Sequence, residues 1–415
     1  MNNKIILLWF ILYSTLSYGQ NKKIPEAKPL GFVMPEGVNK VSIPFSLYNN
    51  LVVIDVLLNR SLPLKFVLDT GVRTTVLTEK SLSDLLNLKY TRKITIPGAG
   101  GEKLVDAFVV NDVSLNIGKL EGHGHALLVL EEDLLQLKNY LGVNVHGILG
   151  YELFSRFVVD INYDNKIITF YNPDTYHKKK KFEEIPIVIE DTKPYIMANY
   201  TIRGEKPLKG RFMLDTGASH TMLLDERSDK HIYVPNPNIT SALGRGLGGN
   251  IFGKVARIDN LWVEKYRFEG VICTFPESES YNVSLDKNFR NGTFGGGMMS
   301  RFHLVFDYIH NKLYVRKGHG YHKPFEFNLS GLIIRAKGVY LNEYEIDDVR
   351  KGSAAEAAGL KVGDEILEIN GVNTYKLNLD EIIGRLNQKA NKKVKLVILR
   401  NGRPINIQVY LKRLI

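Results

Sequence analysis

FVLDTG occupies residues 66–71, and a near copy, FMLDTG, occupies residues 212–217. Each reads as an apolar strand that breaks at Asp-Thr-Gly. A single Asp at such a break is ordinarily a turn or cap residue. Two at matched places call for a wider comparison.

The flanking sequence repeats as well. Ile43-Pro44 and Pro63-Leu64-Lys65 precede the first motif; Ile185-Pro186 and Pro207-Leu208-Lys209 precede the second. Glycine clusters follow both, Gly98-Ala99-Gly100-Gly101 and then GRGLGG at residues 244–249. Next come GILGYELFSRFVVDINYDNKI (147–167) and GTFGGGMMSRFHLVFDYIHNKL (292–313). Both contain Ser-Arg-Phe and end in Asn-Lys before an apolar residue. Landmarks recurring in one order at similar spacing mark a duplication.

Between the landmarks the runs are short, β-branched or aromatic, and bounded by Gly, Asn, Asp and Pro. VVIDVLL, KFVLD, VVDI, IITFY, LVFDY and KLYV all read as strands. Each half is expected to be mostly antiparallel β. One helix is expected over residues 131–140, with Leu134, Leu135 and Leu137 on a face. Residues 172–184 (NPDTYHKKKKFEE) read as the linker, its lysine run 178–181 a solvated connector.

Duplication suggests a chemistry for the paired Asp residues. A pseudo-twofold axis can bring Asp69 and Asp215 face to face. Two carboxyls in contact cannot both ionise cheaply, so they share a proton. The ionised one can then take a proton from water and the protonated one can donate to a carbonyl. The pair needs no metal or cofactor, and none is expected. Gly71 and Gly217 allow close backbone approach, and the Thr70 and Thr216 hydroxyls can bond to backbone across the interface.

With these motifs, residues 41–315 resemble the retropepsin-like branch of aspartic peptidases, with both lobes in one chain. The resemblance implies a pseudo-twofold bilobal fold of two β-barrel lobes, at residues 41–175 and 182–316. It implies Asp69 and Asp215 as the catalytic dyad, supported by Thr70, Gly71, Thr216 and Gly217. Ile148-Leu149-Gly150 corresponds to the segment threaded behind the catalytic loop, and Thr293-Phe294-Gly295 is its weaker counterpart. Gly98, Gly100 and Gly101, with Gly246, Gly248 and Gly249, resemble flaps that close over a peptide substrate. Val72 and Arg73 depart from the pattern; an Arg73 turned toward the dyad would favour its doubly ionised form. His220 reads as a packing or surface residue.

After GHGYHKP (318–324) the composition changes, and residues 325–415 resemble a PDZ domain. Gly359-Leu-Lys-Val-Gly363-Asp364, Ile366 and Ile369-Asn370-Gly371 carry the resemblance, with Gly352-Ser353-Ala354 before them. It implies that Gly331, Leu332, Ile333 and Ile334 line a groove that adds a peptide as an extra strand and can catch a C-terminal carboxylate. A helix near residues 379–386 would form the other wall. Gly331-Leu-Ile-Ile departs from the usual Gly-Leu-Gly-Phe.

Other readings are weaker. Gly244, Gly246 and Gly249 match a dinucleotide fingerprint, yet a strand-like run follows where a helix is required. His123-Gly-His125 lacks a third ligand and reads as an exposed loop. The formal net charge of +11 permits a nucleic-acid or anionic-polymer surface, but no nucleic-acid partner is expected. Cys273, the only cysteine, excludes an intramolecular disulfide and a Cys-based zinc cluster. Residues 1–19 read as a signal peptide: Lys4, a short apolar run over residues 5–12, then Ser17-Tyr-Gly19 before a cut at Gln20. No later stretch is apolar enough for a membrane helix. The expectation is an exported aspartic endopeptidase, periplasmic or secreted. Its rival is a peptidase-like protein of the cell envelope that binds peptides without cutting them.

Overall fold

The computed structural model describes residues 29–98, 100, 104–281 and 289–415. The expected signal peptide and Gly101 lie outside them. Among the described residues the fold is mostly β, in four sheets.

The two halves repeat one strand order. In the first, Ser46–Tyr48, Leu51–Leu58, Leu62–Leu68, Gly147–Leu149, Thr75–Leu77, Leu120–Leu130, Leu104–Ile117 and Tyr90–Pro97 are successive neighbours. In the second the order is Val188–Glu190, Lys193–Thr201, Leu208–Leu214, Gly292–Phe294, Met222–Leu224, Tyr266–Pro276, Gly249–Val263 and Asn238–Gly246. Each half closes on itself, Leu51–Leu58 meeting Leu104–Ile117 and Lys193–Thr201 meeting Gly249–Val263. The strand preceding each motif turns back through left-handed residues, Asn59 and Arg60 in one half, Arg203 and Gly204 in the other. The halves are less purely antiparallel than expected. Gly147–Leu149 runs parallel to Leu62–Leu68, and Gly292–Phe294 parallel to Leu208–Leu214. These short strands are inserted between neighbours already placed, so their direction follows the barrel and not a hairpin.

A third sheet belongs to both halves. Its order is Glu183–Pro186, Lys312–Lys317, Phe302–Asp307, Val158–Asn162, Ile167–Tyr171 and Lys40–Pro44. Three strands come from each half, joined where Val158–Asn162 pairs with Phe302–Asp307. Alternation along these strands sends Val159, Ile161, Leu304 and Phe306 into the main core. It sends Val158, Val305 and Tyr314 to the outer face, where Tyr176 and Phe182 of the linker cover them. Asp160 on this face bonds His303 across the halves, and Lys179 Nζ lies 2.9 Å from its other oxygen. Burial works to raise the Asp160 pKa, but the His303 and Lys179 bonds outweigh it and hold the carboxyl below its usual range. All four lysines of the run are exposed, as expected of a solvated connector, while Lys179 also ties it to Asp160 of the shared sheet.

The helix expected at residues 131–140 is short, Leu137–Leu141. Gln136 sits in the left-handed region (φ 50°), and its N–H bonds Asp133 Oδ1, so no helix continues through it. Leu135 turns into the interior instead.

The C-terminal unit has its own core and a sheet ordered Leu332–Lys337, Glu343–Val349, Glu365–Ile369, Lys393–Arg400, Arg403–Tyr410. Leu332–Lys337 is an edge strand. Beside it lies the helix Leu379–Leu386, started by a capping box in which Asn378 and Glu381 bond each other's backbone N–H. Phe325 and Ile415 pack into the larger core of the two lobes.

Candidate active site

Leu68 and Leu214 end equivalent strands, and the next three residues of each cross over to the other half. Thr70 N–H donates to Thr216 Oγ1 and Thr216 N–H to Thr70 Oγ1, both at 3.0 Å. Each hydroxyl passes its own proton on: Thr70 Oγ1 donates to Leu214 O and Thr216 Oγ1 to Leu68 O, both at 2.7 Å. Four buried bonds thus fix one loop against the other with twofold symmetry. Behind them, Asp69 N–H donates to Leu149 O (2.8 Å) and Asp215 N–H to Phe294 O (2.9 Å). Ile148-Leu149-Gly150 and Thr293-Phe294-Gly295 occupy equivalent places; Gly150 is pressed against the Asp69 carbonyl and Gly295 against that of His220.

This frame brings the Asp69 and Asp215 carboxyls together. A Cβ added to Gly217 would lie 2.7 Å from Asp69 Oδ1, and one added to Gly71 3.6 Å from Asp215 Oδ1. Each carboxyl therefore lies over the other motif's glycine. Asp69 Oδ1 accepts Gly71 N–H at 2.6 Å, and Asp215 Oδ1 accepts Gly217 N–H at 3.0 Å. Burial, and next the neighbouring Asp215 charge, push the Asp69 pKa well above the usual carboxylate range. The Gly71 N–H and the Lys193 charge pull it back only in part. A carboxyl that keeps its proton beside a second carboxyl is one that can give and one that can take.

Arg73 does not join this pair. Its side chain is 72% exposed and lies 3.6 Å from Asp191, and the cation that pulls the Asp69 pKa down is Lys193. Exposed pairs of this kind contribute little to stability. Arg73→Ala should accordingly leave the pH profile of any Asp69/Asp215 reaction where it is, as a rate-against-pH series on both proteins would show. His220 places its Nε2 in the interior without a partner among the described residues, and burial pulls its pKa down.

Tyr308 escaped the sequence reading. Its hydroxyl is buried without a hydrogen-bond partner among the described residues. Burial, then the charges of Asp69 and Asp215, push its pKa far up. It stands one residue beyond Phe302–Asp307, and only the duplicated Tyr163 hinted at it; the Tyr163 hydroxyl is likewise buried and unpartnered.

The glycines expected to form flaps come together. A Cβ on Gly98 would stand 2.6 Å from Gly248 N, and one on Gly249 2.7 Å from Gly100 O. Gly246 ends one strand of the second hairpin and Gly249 begins the next. This hairpin settles the dinucleotide reading: the residues from Gly249 onward form a strand of fifteen, not a helix. His123 and His125 also correct an expectation. They lie in the strand Leu120–Leu130 and not in an exposed loop, because His123 pairs with Gly31 on one side and His125 with Val113 on the other. His125 is buried against Glu152, and His123 bonds Glu121. No metal-binding group of three His, Cys, Asp or Glu occurs among the described residues. Cys273 is buried, and burial holds its thiol well above the usual range.

In the C-terminal unit, Gly331 is left-handed (φ 80°) and Leu332 and Ile334 point into the core, with Ile333 half-buried. The loop's amides are already engaged. Gly331 N–H donates to Asn328 Oδ1 (2.8 Å) and Leu332 N–H to Ser330 Oγ (3.3 Å).

Comparison with known proteins agrees with this architecture. A family model for aspartyl proteases matches residues 54–153 and again 198–295, one match in each half. A PDZ domain model matches residues 345–400. Curated relatives align over one short segment each. A carboxyl-terminal-processing protease of Synechocystis sp. is 43% identical over 72 residues, 17% of this chain and 17% of that protein. A carboxy-terminal processing protease of Bacillus subtilis is 40% identical over 63 residues, 15% of this chain and 13% of its own. Tax1-binding protein 3 of Homo sapiens is 33% identical over 66 residues, 16% of this chain and 49% of its own. The chain thus spans less than a fifth of the two processing proteases.

Proposed function

We propose that this chain, whose two lobes are aspartyl protease family domains and whose last domain is a PDZ domain, is an exported aspartic-type endopeptidase. One observation carries the reading: two carboxyls from duplicated loops meet on a shared frame, where burial and the neighbouring charge push the pKa of one of them up. Asp215, as the general base, takes a proton from a water lying between the carboxyls. Asp69, protonated, gives its proton to the carbonyl oxygen of the scissile bond as the water oxygen bonds to the carbonyl carbon. The proton taken by Asp215 then passes to the leaving nitrogen as the C–N bond breaks. Asp69 recovers a proton from the intermediate, so no proton is lost from the pair. Thr70 and Thr216 hold the carboxyls in register, and the flaps exclude bulk water.

The PDZ domain implies peptide binding. No helix among the described residues is long and apolar enough to cross a membrane. Export rests on residues 1–19 alone.

The reading is tested by incubating the protein from Gln20 onward with a diverse peptide mixture from acid to neutral pH and reading the cuts by mass spectrometry. Cuts blocked by a secondary-alcohol mimic of the tetrahedral intermediate are expected. Absence of cutting at every pH by well-folded protein would sink the peptidase reading and promote the peptide-binding one.

A further inference from the structure

The groove of the PDZ domain is bordered by its edge strand Leu332–Lys337 and the helix Leu379–Leu386. A peptide added there would offer backbone N–H groups to the strand's outward carbonyls. The first lobe already does so. Asn139 Nδ2, on the helix Leu137–Leu141, donates to Ala336 O at 2.9 Å. Tyr140 Oη, the next residue, donates to Asp347 Oδ2 at 3.0 Å. Gly142 closes the helix against the other wall, where a Cβ would fall 2.6 Å from Leu379 Cβ. Asn49 N–H reaches Asp380 Oδ1 at 3.3 Å.

The same contact zone reaches the second flap. Arg350 Nη2, just past the PDZ strand Glu343–Val349, donates to Ser241 Oγ at 2.9 Å, and Ser241 lies in the flap strand Asn238–Gly246. Arg245 of that strand reaches Gln136, the residue that starts the docking helix. Helix, groove and flap therefore form one contact set.

Two features mark the set as able to open. Arg350 is 5% exposed, yet its Nε and Nη1 have no partner among the described residues. A buried cation with unpaired donors is costly, and separation would return those donors to water. Gln136 is held left-handed, a conformation that a non-glycine residue adopts at a cost.

We propose that the PDZ groove is an internal docking site, filled at rest by the helix Leu137–Leu141, and that an extended, strand-adding peptide displaces the helix and frees the second flap. Displacement needs a ligand that replaces the Asn139 bond to Ala336, so the ligand class is an extended peptide segment. The opening of the flap has a consequence for cleavage only under the peptidase reading above.

Hydrogen exchange on the full chain tests this without reference to activity. Wild type is compared with the double variant Asn139→Ala, Tyr140→Phe, and with Ser241→Ala, which removes the Arg350 bond to the flap and leaves both bonds of the docking helix in place. The double variant should speed exchange in residues 332–337 and 238–246 together, by roughly tenfold for two lost hydrogen bonds. Ser241→Ala should speed 238–246 alone. Faster exchange at 332–337 with an unchanged flap in the double variant would overturn the coupling. Unchanged exchange at both would overturn the docking. If the double variant does not fold, an unchanged 238–246 in Ser241→Ala overturns the grip on the flap. A peptide-cleavage assay on the same proteins should show a several-fold rise in the double variant. Coupled exchange without cleavage in either protein would uphold the docking and remove the peptidase reading.

Discussion

Asp215→Asn should lower peptide cleavage by about a thousandfold or more, the loss expected when a positioned general base is removed. The fold should survive it. Asparagine has the same shape and can still accept the Gly217 N–H that Asp215 Oδ1 accepts at 3.0 Å. Stability carries a second signature. The Asp69 pKa is raised in the folded protein, first by burial and next by Asp215. A carboxyl of this kind contributes stability that is fully present below its unfolded pKa. That contribution is lost as pH rises from there through the folded value. Removing the Asp215 charge lowers the folded pKa of Asp69 and narrows the window. Asp215→Asn should therefore unfold at a higher denaturant concentration than wild type on the neutral side, and lose less stability between acid and neutral pH. Cleavage in wild type should fall as pH rises through the Asp69 value, because the pair then loses its shared proton. A variant that kept its cutting activity would remove Asp215 from the mechanism.

Thr216→Val is expected to cost about 2–5 kcal/mol. Valine matches threonine in shape but removes one hydroxyl that serves two buried backbone groups. It accepts from Thr70 N–H at 3.0 Å and donates to Leu68 O at 2.7 Å. Both would be left unpaired at a buried position. Denaturant titration reads the loss, and Thr70→Val should cost a similar amount because its bonds mirror these. Thr216→Ser keeps both bonds and should recover most of the stability. If valine proved as stable as serine, the hydroxyl network would not be what joins the loops.

Much of this was legible because duplication writes symmetry into sequence. Asp69 with Asp215, and Leu149 with Phe294, fall on equivalent strand ends, so the alignment of the halves already paired them. The PDZ helix was legible from a local signal, Asn378 with Glu381 before an apolar periodic run. What stayed hidden depended on the third dimension. The apolar spacing over residues 131–140 suited a helix, but Gln136 is turned left-handed, its N–H held by Asp133 and its side chain reached by Arg245 of the other half. Arg73 could be named as a hazard, while its direction is set by Asp191, 118 positions away. Tyr308 acquires its environment only after both motifs have met. The lysine run is exposed as it looked, but the tie from Lys179 to Asp160 was hidden, because that sheet is completed only by strands encoded far downstream.

That shared sheet bears on how the protein comes to exist. During synthesis Val158–Asn162 emerges with one edge unpaired, and its partner, Phe302–Asp307, follows about 140 residues later. At a typical elongation rate the wait is on the order of ten seconds. For that time the nascent first lobe presents an open β edge, the kind of surface that invites pairing with another chain. A message cut short between the halves would leave the edge open permanently, with a self-associating product. The fold thus sets a demand on the cell: the chain must be finished, or guarded, before its first half is released.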